Sequence, residues 1–358
     1  MTKPDFRKIT FLVCFWVLAA VFITTYDAAT LRFQSPLEGA SYNFFRSLAT
    51  VFLTALVGSI VVASFEILFL ARKLRKRSLG FKLGAKTLFY LASMLIFISL
   101  AIWGITCLEM KEAPFHPKVT GIVWQYIFSL KFMVNMAYWG ISILFALFVL
   151  QASEKFGQGV LINFLLGKYH RPKEEHRAFM FLDLKSSTTY AEQLGHLRYS
   201  ELIQDCFFDL TDIVTTYEAQ VYQYVGDEVV LTWDIGKKKK QANYLDAFFA
   251  YDQKIKGKST YYMEKYGLVP EFKAGVNCGL VTAAEVGEIK KELAYHGDVL
   301  NTAARIQGQC NAYNSRLLIS EQVKTLIQNT RKYALDFKGN ILLKGKLASI
   351  NLFEARLL

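Results

Sequence analysis

The apolar positions of this chain follow two different patterns, one before about Gln151 and one after it. The first part holds four runs of about 20 mostly apolar residues, and a helix of that length crosses about 30 Å of hydrocarbon. The runs cover residues 9–28, 48–71, 87–108 and 132–151. They predict an all-α domain of four membrane-spanning helices over residues 1–151.

The second part holds short apolar runs typical of strands. Residues 177–184 form a compact apolar run with one acidic residue, Asp183, at its end. A hydroxyl-rich segment that can cap a helix follows, namely Ser186, Ser187 and Thr188. Residues 219–225 and 229–233 are β-branched and aromatic runs split by Gly226 and Asp227, a pair associated with hairpin turns. Asp183 is therefore expected at a strand end and Asp227 at a hairpin tip.

Two such carboxylates on neighbouring strands suit hard divalent cations, which keep positions free for phosphate oxygens and water. Either aspartate by itself is more often an ordinary turn residue or a solvated cap. A later segment, residues 296–306, reads as a loop that enters a helix, with Asn301 and Arg305 on one face. The arginine could neutralise charge on a phosphate and the asparagine could orient a ribose, although an ordinary surface helix has the same pattern.

Five segments in this order and spacing resemble the class III nucleotidyl cyclase catalytic domain: FLDLKSST, YQYVGDE, KAGVNCGLVTAAEVG, HGDVLNTAARI and ILLKGK. The resemblance covers roughly residues 177–354, within a predicted catalytic domain of residues 173–358. It implies an α+β fold with a ferredoxin-like βαββαβ core. It also implies a head-to-tail homodimer whose active sites are built from both subunits.

The resemblance also implies roles for single residues. Asp183 and Asp227 would bind two Mg²⁺ or Mn²⁺ ions per active site, while Asn301 and Arg305 would reach the nucleotide from the partner subunit. The ribose 3′-hydroxyl would attack the α-phosphorus and release pyrophosphate. The remaining substrate-binding positions are Ser186, Ser187, Thr188, Gly226 and Lys344 or Lys346.

Two positions that select the base depart from the family pattern. Gln223 stands where adenylate cyclases commonly have Lys and guanylate cyclases Glu, and Ala294 stands where adenylate cyclases commonly have Asp, Thr or Ser. Gln serves either purine edge and Ala offers no hydrogen bond. Because the guanine-specifying carboxylate is missing, ATP is the favoured substrate. A guanylate cyclase and a catalytically silent nucleotide-binding receptor stay open as alternatives.

Charge predicts the orientation in the membrane. The net charge is +12, and the loop between the second and third apolar runs is rich in Lys and Arg with no acidic residue. Such loops favour the cytoplasm, so the chain is expected to be a multi-pass protein of the cell membrane with both termini and the catalytic domain in the cytoplasm. Anionic lipid headgroups account for the basic excess without nucleic-acid binding. The run from Lys237 to Lys240 is most simply a solvated loop.

Residues 152–172 are expected to link the two domains. Phe156, Val160 and Phe164 recur every four residues and predict an amphipathic helix that pairs with its copy in the dimer or packs on its own catalytic domain. Two charged residues, Glu66 and Lys131, fall in or beside the apolar runs. Both are expected near the membrane interface, where their side chains reach water.

Overall fold

The computed structural model describes residues 3–34, 44–74, 77–156, 163, 166–236, 243–327, 331–342 and 349–358. The chain divides into two compact units, Met1–Lys155 and Phe156–Leu358. Most of the predicted linking helix falls on residues 157–165, of which only Asn163 is described. Its apolar stripe at Val160 and Phe164 therefore lies outside the described residues, as does the run from Lys237 to Lys240.

The first unit is built of helices joined by short connections in its described part, and four of its helices are long and apolar enough to cross a membrane. The apolar stretches are Lys8–Tyr26, Leu48–Leu70, Gly80–Cys107 and Phe132–Ser153. The helices are α1 (Lys3–Gln34), α2 (Phe44–Phe65), a π-helical turn (Glu66–Leu70), α3 (Ala71–Lys73), α4 (Leu79–Met110), α5 (Pro117–Ile127) and α6 (Leu130–Phe156). The four predicted apolar helices are thereby confirmed.

Glu66 lies at the start of the π-helical turn. Contrary to the expectation from the sequence, its side chain does not reach water. Its side chain is fully buried, and its Oε1 lies 2.5 Å from Nζ of Lys86 on α4. A π-helical turn inserts an extra residue into a helix and is frequent at functional positions. The sequence-based expectation was wrong because the neighbouring helix, rather than solvent, supplies the partner for this carboxylate.

We expect Glu66→Gln and Lys86→Met each to destabilise the helical unit, because each leaves one buried charge without its partner. Breaking a buried pair costs about 3–5 kcal/mol. The double variant should lose much less unfolding free energy than the sum of the losses in the two single variants. Unfolding of the full-length protein in detergent, with Lys82→Met as a control for loss of positive charge on α4, measures this coupling. Additive losses would contradict a direct ion pair.

The second unit is built on one eight-stranded sheet with strand order β2-β3-β1-β4-β6-β8-β7, and β5 pairs with β4. The strands are β1 (Lys173–Leu184), β2 (Gln220–Val225), β3 (Glu228–Asp234), β4 (Phe272–Val286), β5 (Glu292–His296), β6 (Leu317–Ser320), β7 (Tyr333–Ile341) and β8 (Ile350–Leu357). The helices are α7 (Ser187–Thr216), α8 (Asn243–Gly257), α9 (Ser259–Tyr266), α10 (Asp298–Gly308) and α11 (Glu321–Leu326).

The order along the chain of β1, α7, β2, β3, α8 and β4, with β1 and β3 inside the sheet, is the expected ferredoxin-like βαββαβ core. Strand β1 is antiparallel to both of its neighbours, β3 and β4. Its apolar side chains Met180, Leu182 and Leu184 are buried in a cluster with residues of α7 and α8. This packing fixes the direction in which β1 ends, and β1 ends at the candidate site.

Candidate active site

Asp183 and Asp227 meet at one edge of the sheet. Asp183 is the second-last residue of β1 and lies opposite Glu228 of β3 and Lys273 of β4. Asp227 lies in the tight turn that joins β2 to β3, where Gly226 has φ 62°, a conformation that favours glycine. Because the Asp183–Glu228 pair adjoins this turn, the structure brings the two predicted carboxylates together, with Asp227 at the expected hairpin tip.

The electrostatics of this edge favour a bound cation. Burial raises the pKa of Asp183, and the negative charge of Asp227 raises it further. Burial also raises the pKa of Glu228 to about 7, with added repulsion from the two aspartates. Three carboxyl groups thus share a partly buried region, and a divalent cation would relieve their repulsion.

The residues present fit a hard divalent cation held by two carboxylates. In the part of the chain that the structure describes, no group of three or more His, Cys, Asp or Glu has the geometry of a metal centre. Mg²⁺ is commonly bound through one or two carboxylates, with water and substrate phosphate oxygens as its other ligands. Asp183 and Asp227 supply that number.

Lys273 and Gln307 also belong to this site, and no role is predicted from the sequence for either. Gln307 Nε2 donates to Asp183 Oδ2 at 2.8 Å, and Lys273 Nζ lies 3.3 Å from the same oxygen. Gln307 reaches Asp183 because α10 lies against β4 at Gly275, where a Cβ would stand 2.2 Å from the Gln307 nitrogen. Strand register places Lys273, which opens the KAGVNCGLVTAAEVG segment, and the close approach of α10 to β4 places Gln307, which lies just beyond the HGDVLNTAARI segment.

The hydroxyl segment after β1 begins a helix as predicted, but without the expected side-chain cap. Helix α7 begins at Ser187, and its N-cap residue Ser186 has φ 59° and makes no capping hydrogen bond. Tyr199 of α7 faces the same region. Burial raises its pKa to about 12, and the charge of Asp227 adds to this, whereas a hydrogen bond with Ser187 lowers it. Ser187 and Tyr199 therefore lie beside the aspartate pair.

Asn301 and Arg305 lie on α10 as expected, but on a different side from Gln307. Asn301 is exposed and Arg305 half-buried, while the buried face of the helix contains Thr302, Ala303, Ile306 and Gln307. At about 100° per residue, Arg305 is turned roughly halfway around the helix from Gln307. The chain does not bring Asn301 and Arg305 to its own aspartates in the way that it brings Gln307.

Of the two base-selecting positions, Ala294 lies toward the other end of β4, whereas Gln223 lies on β2, four residues before Asp227. Ala294 of β5 pairs with Ala284 of β4, whereas Asp183 pairs with Lys273 at the opposite end of β4. Those β4 positions are eleven residues apart along the strand. The Tyr295 ring, next to Ala294, nevertheless lies 5.3 Å from the ring of Phe179, four residues before Asp183 on β1.

Gln223 of β2 is exposed. The residues next to Gln223 and Ala294 in the chain, Tyr222 and Tyr295, are in contact. The rings of Tyr222 and Tyr295 have centroids 5.2 Å apart.

The predicted phosphate-binding residues Lys344 and Lys346 fall in the segment 343–348, which lies outside the described residues.

A buried ion cluster holds Tyr295 in place. Glu175 accepts hydrogen bonds from Lys168 Nζ and Arg177 Nε, both at 2.8 Å, and from the Tyr169 hydroxyl at 3.1 Å. The Arg177 guanidinium in turn lies 4.8 Å from the centre of the Tyr295 ring. Residues just before β1 are thereby connected to the strand that carries Ala294.

Comparison with known proteins agrees with this fold. The chain belongs to the adenylate and guanylate cyclase catalytic domain family, whose sequence model matches residues 170–353. Its catalytic domain is therefore a class III nucleotidyl cyclase domain, as the resemblance of its motifs predicted.

Two curated relatives come from Rhizobium meliloti (strain 1021). Adenylate cyclase 2 is 36% identical over 174 residues, which cover 49% of this chain and 48% of the relative. Adenylate cyclase 1 is 22% identical over 181 residues, covering 49% of this chain and 26% of the relative. The chain thus matches less than half the length of either protein.

A solved structure of a bacterial light-regulated adenylyl cyclase shares the fold. It superposes with a TM-score of 0.53 at 17% identity, over 64% of this chain and 66% of that chain.

Glu175→Gln should destabilise the catalytic unit in a pH-dependent way. Burial by itself raises the pKa of Glu175, but hydrogen bonds from Lys168 and Arg177 outweigh it and the net pKa is lowered. A lowered carboxyl pKa stabilises the fold above the ordinary value of 4.5, and this stabilisation is lost as the pH falls through the folded-state pKa. The variant should lose about 3 kcal/mol of unfolding free energy at pH 7. This loss should become smaller at acid pH.

Thermal unfolding of the full-length protein in detergent at several pH values measures this effect. Glu174→Gln, at the exposed neighbouring position, is the matched control and should change little. An equal loss at neutral and acid pH would contradict the ionised cluster.

Proposed function

We propose that this protein is a membrane-anchored adenylate cyclase that converts ATP to 3′,5′-cyclic AMP and pyrophosphate. The observation that carries the proposal is the Asp183–Asp227 pair at the edge of the sheet, in a chain that belongs to the cyclase family. Such paired carboxylates in a repulsive, partly buried setting are suited to metal-assisted phosphoryl chemistry.

Asp183 and Asp227 would hold Mg²⁺ or Mn²⁺, two ions per site. When bound, such ions supply positive charge that acidifies the ribose 3′-hydroxyl and neutralises the triphosphate. Gln307 and Lys273 hold Oδ2 of Asp183, so its other oxygen keeps a defined direction. Lys273 also offsets part of the negative charge before a cation arrives. We assign no protein general base.

A complete site in this proposal needs two chains. Asn301 and Arg305 lie off the side of α10 that faces Asp183, and Ala294 pairs toward the end of β4 opposite Lys273. A head-to-tail homodimer would bring the aspartates of one subunit to the α10 helix and β5 of the other. Arg305 would then stabilise charge on the phosphates and Asn301 would orient the ribose. Lys344 or Lys346 would bind the terminal phosphates.

The four apolar helices of the first unit support anchoring in the cell membrane. The basic loop between the second and third of them favours a cytoplasmic location for that loop, for both termini and for the catalytic domain. In this orientation the site faces the compartment that contains ATP and magnesium. The lipid bilayer and a second copy of the chain are the expected partners, and no nucleic acid is needed.

ATP is proposed over GTP on two grounds. The carboxylate that would bond the guanine donors is replaced by the amide of Gln223, and the relative at 36% identity is named an adenylate cyclase. Ala294 cannot hydrogen-bond the base through its side chain. The preference for ATP over GTP should therefore be modest.

The shared site leads to a complementation experiment. Asp227→Asn and Arg305→Ala proteins should each be nearly inactive. Co-expressed, they should regain part of the activity, because one of the two sites in a heterodimer carries neither lesion. Cyclic AMP formation by the purified heterodimer measures the rescue.

The matched control combines Asn301→Ala with Arg305→Ala. Both lesions then fall on the same half of the site, so every site of the heterodimer is damaged and no rescue is expected. Heterodimers of Asp227→Asn and Arg305→Ala that form but stay inactive would contradict the two-chain site. Full activity of the Asp227→Asn protein alone would contradict the metal-binding role.

Base choice is tested by restoring the usual polar residues. We expect Gln223→Lys with Ala294→Asp to raise the ratio of cyclic AMP to cyclic GMP formation by about fivefold to tenfold, the effect of one added hydrogen bond. Equal concentrations of ATP and GTP should be compared for the double variant, each single variant and the wild type. Faster formation of cyclic GMP by the wild type would overturn the adenylate assignment and leave the cyclase assignment intact.

A further inference from the structure

The helical unit contains a cavity of about 300 Å³ between its long helices. Residues from α1, α2, α4, α5 and α6 line it, and most of its wall is apolar. Prominent wall residues are Ala20, Val51, Ala55, Met94, Phe97 and Trp139. The lining contains no charged side chain among the described residues. A space of this size and character suits a small organic molecule.

Two polar atoms in the wall distinguish this cavity from a packing defect. Trp16 is 5% exposed and Tyr90 is 2% exposed, and both side chains line the cavity. Trp16 Nε1 and the Tyr90 hydroxyl oxygen are buried without a hydrogen-bond partner among the described residues. Buried polar groups are nearly always paired, so unpaired ones at a cavity wall indicate that a ligand completes them.

Other hydroxyl groups of the wall are already satisfied within their own helices. Ser93 donates to the Phe89 carbonyl oxygen at 2.8 Å, and Thr24 donates to that of Ala20 at 2.8 Å. Among the buried side-chain atoms of the wall, Trp16 Nε1 and the Tyr90 hydroxyl oxygen are the ones that lack a partner in the described part of the chain, and the centroids of their rings are 5.6 Å apart. An indole N–H only donates, so it can be directed at the Tyr90 oxygen, whereas the phenol O–H is still left to donate. The group that completes this corner must therefore accept a hydrogen bond.

We propose that the helical unit binds an uncharged lipophile that carries a hydrogen-bond acceptor such as a carbonyl. The acceptor lies against Trp16 Nε1 and the Tyr90 hydroxyl, and the apolar body fills the space between Val51, Ala55 and Phe97. A charged ligand is disfavoured because the wall offers no counter-ion. The nearby ion pair of Glu66 and Lys86 neutralises itself, and Lys86 lies one turn from Tyr90 on α4.

The probe for this site is benzophenone, an uncharged aryl ketone that labels nearby C–H bonds when irradiated. Full-length protein in nanodiscs is irradiated with benzophenone, and the labelled residues are mapped by mass spectrometry. Labelling should fall on cavity residues such as Met94. Ala55→Phe, which fills the cavity, should abolish it.

A matched pair of competitors tests the acceptor. Fluorenone and fluorene have the same shape, and only the ketone can accept a hydrogen bond. After correction for partition into the bilayer, fluorenone should compete about fivefold more strongly than fluorene, the effect of one hydrogen bond. The difference should disappear in Tyr90→Phe or Trp16→Phe and persist in Ser93→Ala, whose hydroxyl is already paired.

Equal competition by the two compounds would overturn the acceptor assignment. Labelling confined to outward-facing residues such as Leu53 and Phe69, or unchanged in Ala55→Phe, would overturn the site itself. Both Tyr90→Phe and Trp16→Phe are included so that the result does not depend on one variant that folds poorly. Because labelling does not require catalysis, this result is independent of the proposed cyclase activity.

Discussion

The pairing of β1 with β3 on one side and β4 on the other is the interaction on which the catalytic unit depends. This register sets Asp183 opposite both Glu228 and Lys273. It places the β2–β3 turn beside the end of β1, so Asp227 joins Asp183. A shift of one residue would send the Asp183 side chain to the other face of the sheet, into the core under α7 and α8. The buried side chains on both faces of β1 prevent such a shift.

In the proposed two-chain site, each chain supplies two separate halves. Strand β4 carries Lys273 beside the aspartates and Ala284 toward its other end, and the β4–β5 pairing places Ala294 opposite Ala284. Catalysis would therefore depend on assembly, and control of the dimer would control activity.

The helical unit differs from the catalytic unit because several of its polar groups lie inside an apolar bundle. Glu66 and Lys86 neutralise each other, whereas Trp16 and Tyr90 are left to be satisfied by a ligand. In hydrocarbon an unsatisfied polar group is costly, so each such residue needs a partner within the bundle. In the proposed reading, the protein combines a cytoplasmic catalytic domain with a membrane domain that binds a lipophile.

The sequence by itself determined the local elements. Run lengths defined the four apolar helices, and the Gly226–Asp227 pair between two β-rich runs defined the hairpin, because both signals depend only on neighbouring residues. The motif set also determined the family and the fold. Only the tertiary structure decided the burial of Glu66 against Lys86, the approach of Gln307 and Lys273 to Asp183, and the pairing of Ala294 toward the end of β4 opposite Lys273. Each of these depends on strand register or helix packing between residues that are distant in the chain. Local sequence patterns do not predict such contacts.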